Sequence, residues 1–180
     1  MGRKPLSPIE KSKIDEERAY ERLAAMLRRE GLYVSPLQQD EGVADFVVDA
    51  TATSCQGPHS VQGFKEYASN PHRLGLVVEF KSSGAKSQPN FFAANHQNDQ
   101  YFSSSVAAHG VDLFIFFRYS HRRAEYQVYL VRPGHPILDQ PHIRTLNKFV
   151  NAGIEAITDE ASLGSALRRE YQFKHGVCSL

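Results

Sequence analysis

The segment Val77-Val78-Glu79-Phe80-Lys81-Ser82-Ser83 constrains this chain more than any other, because it is an apolar strand that carries a carboxylate and an ammonium two residues apart. Side chains alternate along a strand, so Glu79 and Lys81 share one face while Val78 and Phe80 turn to the other, towards a core. Upstream lies a second strand of the same kind, Val43-Ala44-Asp45-Phe46-Val47-Val48-Asp49. Two apolar strands that both carry acid predict a sheet with charged groups aimed at one point.

Composition limits what surrounds that point. A chain of 180 residues, 41% hydrophobic and 23% charged, can bury a core as one domain. The formal net charge of +1 means that contact with nucleic acid has to come from local basic clusters and bound cations. No apolar run reaches the ~18 residues of a membrane helix, and the opening Gly2-Arg3-Lys4-Pro5 lacks the apolar stretch of a signal peptide. Cys55 and Cys178 give no disulfide framework. The expectation is a cytoplasmic, intracellular protein without a membrane partner.

Punctuation and periodicity divide the chain into a flexible arm over residues 1–11, a core over 12–131 and a helical extension over 132–180. A helix is predicted over residues 12–30, where Tyr20, Leu23, Ala24 and Leu27 recur at i, i+3, i+4 and i+7 and Gly31 supplies the stop. Strands are predicted over residues 32–35, 45–50, 75–81, 111–117 and 125–131, with a second helix over 95–109 between the third and fourth. The nearly continuous apolar run over 111–117 marks a buried central strand. In the tail, Leu163, Ala166, Leu167 and Tyr171 fall at helix spacing. Helix, three strands, helix, two strands is an α/β order with a mixed central sheet flanked by helices.

With Gly42-Val43-Ala44-Asp45-Phe46 as a first acidic strand and Glu79-Phe80-Lys81 as a second motif, the chain resembles the PD-(D/E)XK nuclease superfamily, over about residues 14–131. Ala44 stands where that family's name-giving proline would be. The helical Glu21-Arg22-Leu23 with Gly31-Leu32 downstream resembles the resolvase helix that contributes a further glutamate, and Gln97 and Tyr101 resemble the Gln-x-x-x-Tyr element of RecB-like nucleases. Asn98 departs from the apolar residue usual after that glutamine. The resemblance implies a restriction endonuclease-like fold and a magnesium-dependent DNA endonuclease, either a junction resolvase or a small restriction-type enzyme, with manganese as a substitute.

The chemistry supplies its own reasons. In-line attack on a phosphodiester accumulates negative charge, so a cation must be placed beside it. Mg²⁺ keeps several waters and needs only one or two carboxylates; Asp45 and Glu79, joined by the Phe80 carbonyl, would hold it. Lys81 would orient or deprotonate the attacking water and offset charge. Glu21 could hold a second ion or its water shell, although Glu17 lies one turn earlier on the same helix. Gln97 and Tyr101 would position the phosphate. Arg118, His121, Arg122 and Arg123 cluster at a hairpin where Arg122 and Arg123 could grip DNA.

Other chemistry finds less support. Cys55, His59 and His72, or His175 and Cys178, lack paired metal-ligand spacing; two cysteines are too few for an iron-sulfur cluster; and no Gly-Lys-Ser/Thr phosphate loop occurs. Two other classes of reading stay open: a catalytically silent nuclease-fold module that binds nucleic acid or a partner protein, and an ordinary α/β domain with a chance match. Cutting two strands is most simply done by a two-fold homodimer.

Overall fold

The computed structural model describes residues 7–36, 45–49, 75–83, 110–120, 125–139 and 146–175. Among these residues five strands form one sheet in the order β1-β2-β3-β4-β5: β1 (Tyr33–Pro36), β2 (Phe46–Asp49), β3 (Leu76–Ser83), β4 (Leu113–Ser120) and β5 (Glu125–Val131). Only the β3–β4 junction is parallel; the other three are antiparallel, so the sheet is mixed. Among the described residues, helices α1 (Pro8–Arg29), α2 (Leu146–Asn151) and α3 (Glu160–His175) join the sheet in an α/β architecture, with a short 3-10 turn at Pro136–Asp139. Among the described residues no helix is long and apolar enough to cross a membrane.

α1 begins at Pro8, earlier than the residue-12 start its apolar repeat suggests. Ser7-Pro8 explains the difference: serine is a preferred residue just before a helix, and proline fits its first position because the missing N–H has no intrahelical partner there. At the other end Gly31 adopts φ +73°, and the bonds Gly31 N–H to Arg28 O (3.0 Å) and Leu32 N–H to Leu27 O (2.9 Å) close the last turn. Leu27 and Leu32, both buried, supply the apolar contact that accompanies such a cap.

Alternation then sorts the side chains. Phe46, Val48, Leu76, Val78, Phe80, Leu113, Ile115 and Phe117 face α1, where Leu23, Ala24, Met26 and Leu27 pack on them. The opposite face carries Phe116 and Tyr129 against Phe149 of α2, with ring centroids 5.1 and 4.4 Å apart. Both faces are therefore covered, which is why Leu113 to Phe117 reads as an unbroken apolar run.

The tail is not a separate appendage. Leu163 and Leu167 of α3 join the same core as α1. Gly164 lets the two helices close up, since a Cβ there would stand 2.9 Å from the Glu30 Cβ. Arg168 donates to the Glu30 carbonyl, and Arg29 forms a two-pronged pair with Glu160 at 2.8 and 2.5 Å. A helical pattern shows which side of a tail is apolar but not what it packs on, so the sequence alone leaves this helix outside the core.

Candidate functional site

β3 places Glu79 and Lys81 on one face, two residues apart, and their charged ends form an ion pair. Val78 and Phe80 between and beside them are anchored in the core under α1. Phe46, Phe80 and Tyr20 make a chain of tilted rings, with centroids 5.4 Å apart for Tyr20–Phe46 and 5.8 Å for Phe46–Phe80. The ring next to each acid thus fixes the strand from which the acid projects.

Asp45, immediately before β2, is tied to β3 on either side of Glu79. Its N–H donates to the Val78 carbonyl at 2.9 Å, and its Oδ2 accepts the Phe80 N–H at 2.6 Å. In an extended residue the N–H and C=O leave on the same strand edge, so the Phe80 carbonyl is on the Asp45 side. Asp45, Glu79, Lys81 and the Phe80 backbone therefore meet in one place.

The electrostatics of that place are uneven. Glu79 is 8% exposed. Burial, and then the Asp45 charge, push its carboxyl up to about 8 against the opposing pull of Lys81. Asp45 is also raised, by burial, with Lys81 and the Phe80 N–H working the other way. For Lys81, burial disfavours the ammonium but is outweighed by Glu79 and Asp45, so it is held protonated above the ordinary lysine range.

The helix contributes a residue that the motif reading missed. Glu16 of α1 is half-buried and is raised by burial, by the Asp45 charge and by Glu17, while Lys81 lowers it; its own charge acts in turn on Glu79 and Lys81. Glu21, the candidate drawn from the resolvase-like pattern, is exposed on α1, and so is Glu17. The helix explains why. Glu16 lies four residues before Tyr20 and seven before Leu23, on the buried stripe, whereas Glu21 is turned about 100° from Tyr20. A charged residue standing in an apolar register was the signal available in the sequence.

Among the described residues no group of three or more His, Cys, Asp or Glu side chains could by itself cage a metal ion. Glu16 therefore does not join Asp45 and Glu79 in a three-carboxylate cage, and its charge acts on Glu79 and Lys81. The donor set nonetheless suits a hard divalent cation, because among the described residues Glu16, Asp45 and Glu79 act on one ammonium, that of Lys81, and carboxylates outnumber it. Two carboxylates and a carbonyl leave room for the waters that such an ion retains. Gln97, Tyr101, Arg122 and Arg123 lie outside the described residues, as do Cys55, His59, His72 and Cys178. Arg118 is described, and its guanidinium donates to Gln127 at 2.9 Å.

No protein-family model, curated protein or solved structure matches the chain.

Proposed function

We propose that this chain is a divalent-metal-dependent DNA endonuclease of the PD-(D/E)XK type, with a restriction endonuclease-like sheet and Mg²⁺, or Mn²⁺ in its place, as the cofactor. One observation carries the reading: Asp45 is bonded across β3 on both sides of Glu79, and Lys81 is paired with Glu79 at the same point. Packing alone gives no reason to draw the buried Glu79 and the partly buried Asp45 and Glu16 together around Lys81, since poorly paired buried charge is costly.

Asp45 and Glu79 would hold the cation, with the Phe80 carbonyl beside them. When bound, the ion supplies a Lewis acid for a phosphoryl oxygen and acidifies a water. Lys81, held protonated, donates to the attacking water or a phosphoryl oxygen and offsets the charge that builds in the transition state. Glu16 would add negative charge to the site from the helix side. A two-fold homodimer would present one such site to each strand of a duplex or each arm of a junction, which light scattering on the purified protein tests.

The direct test is incubation with supercoiled, linear and four-way-junction DNA in Mg²⁺, Mn²⁺ or EDTA, beside Lys81→Ala. Wild-type cutting should require the metal, and the variant should lose about 10²–10³-fold in rate. Binding without cutting by the wild type would replace the enzyme with a silent nucleic-acid-binding module. Preference for the junction over a plain duplex would separate a resolvase from a restriction-type enzyme.

A further inference from the structure

We propose that Arg118, steadied by Gln127, binds a phosphate of the DNA backbone flanking the one at Lys81, an inference that rests on the nuclease reading above. Lys81 pairs with Phe116 across β3 and β4, and Ser83 pairs with Arg118, so residues 81, 83, 116 and 118 turn their side chains to one face. It is the face opposite α1, because Phe116 packs on Phe149 of α2 while Ile115 and Phe117 pack under α1. Gln127 of β5 pairs with Arg118 and lies two residues from Tyr129, which also packs on Phe149. Arg118 and Lys81 therefore share a face by register and by packing.

The bond to Gln127 shows where the guanidinium is held. Its Nη1 donates to Gln127 Oε1 at 2.9 Å, and its charge acts on the neighbouring Tyr129. The head group thus lies over β4 and β5 on the Lys81 face. Arg118 stands two residues, about 7 Å, further along the sheet than Lys81 and one strand, about 5 Å, across. Two cations at that offset on one face can hold two phosphates of one backbone.

The charge of Arg118 calls for an anion. Among the described residues two arginines are partly buried, Arg118 and Arg168. Arg168 donates to the Glu30 carbonyl, at the negative C-terminal end of α1. Arg118 donates to a neutral amide oxygen, and no carboxylate among the described residues pairs with it. A guanidinium drawn partly out of water without an opposite charge is poorly compensated, so an anion that reaches it gains more than it would at an exposed arginine. The bond to Gln127 uses one of its five N–H donors and leaves the others for phosphate oxygens.

The experiment is a salt titration of binding to a short linear duplex in Ca²⁺, comparing wild type, Arg118→Gln, Arg118→Lys and Arg169→Gln. Arg169→Gln removes the same charge from an exposed position on α3, whose Leu163 and Leu167 pack on the α1 side of the sheet. Arg118→Gln is expected to flatten the slope of log affinity against log salt by about 0.9, the loss of one phosphate contact, while Arg118→Lys and Arg169→Gln keep the wild-type slope. Thermal melts without DNA separate a structural role: with no ion pair to lose among the described residues, Arg118→Gln should melt no earlier than wild type, and a variant that fails to fold makes Arg118 a structural residue and overturns the proposal. An unchanged slope in Arg118→Gln, or an equal flattening in Arg169→Gln, overturns it too, while wild-type binding and cutting leave the nuclease reading standing. A wild type that neither binds nor cuts DNA overturns both.

Discussion

The molecule holds two largely buried acid–lysine pairs against the same strand, and they differ in their surroundings. At the start of β3, Asp112 accepts the Val77 N–H at 2.7 Å and Lys174 at 2.5 Å, and its own N–H returns to the Val77 carbonyl at 2.8 Å. Lys174 also donates to the Gly75 carbonyl. Among the described residues one acid meets one base, and the backbone supplies further partners. Further along β3, Glu79 meets Lys81 in the presence of Asp45 and Glu16, so the acids outnumber the ammonium. A buried ion pair by itself therefore says little about function. What would separate a brace from a site is whether the local charges close, and among the described residues the acids outnumber the ammonium at the second pair, where the cation is proposed.

The largest difference should appear when one partner is cut away. Asp112→Ala strands Lys174 and the Val77 N–H, and should cost about 3–5 kcal/mol of stability in urea unfolding while cutting per folded molecule is unchanged. A loss under 1 kcal/mol would dissolve the contrast.

Next comes the response to pH and metal. A carboxyl raised in the folded state binds more protons there than in the unfolded chain. Its stabilising contribution is full below the ordinary range near 4.5 and is lost as pH rises through about 8 for Glu79. Without divalent cation the protein should therefore melt earlier at pH 8.5 than at pH 6. Mg²⁺ at about a hundred times its dissociation constant should return about 2.7 kcal/mol, a rise of about 5–10 °C in midpoint at pH 8.5. Melts in EDTA and in Mg²⁺ that coincide would remove the cation from the site.

Glu79→Gln should act in the opposite sense to Asp112→Ala. Relieving the crowded acids is expected to stabilise the metal-free protein by about 1–2 kcal/mol at pH 8, while metal-dependent cutting disappears. Destabilisation on this change would mean that Glu79 is a structural partner of Lys81 and nothing more. The smallest effect belongs to Glu16→Gln, a gain of under about 1 kcal/mol because the group is half-buried, accompanied by a rise in the metal concentration needed for half-maximal cutting. Glu21→Gln on the same helix should change neither quantity.

How far the sequence leads depends on the kind of signal. Strand order and the Glu79–Lys81 face follow from alternation, and the helix stop follows from the positive φ that Gly31 accepts, so both are local. That Asp45 is held beside Glu79 needs the pairing of β2 with β3, which the acidic strands suggest and the Phe80 hydrogen bond makes concrete. That Glu16 lies on the half-buried stripe near Asp45 and Lys81 while Glu21 is exposed was present in the helix register, which a motif that counts residues does not read. The packing of α3 on α1 was not legible, because it depends on Gly164 meeting Glu30 across a separation no local pattern encodes. The Asp112–Lys174 brace was missed for the same reason.

Phe46 and Phe80 sit one step from Asp45 and Glu79 on the same backbones and touch each other under Tyr20. Core and chemistry are thus two sides of one ribbon, and a ring swapped for an aliphatic side chain changes the spacing of the carboxylates without removing a single charged atom. Interior repacking would therefore reach the proposed cation site from behind, and a screen confined to the polar face would overlook Phe46 and Phe80.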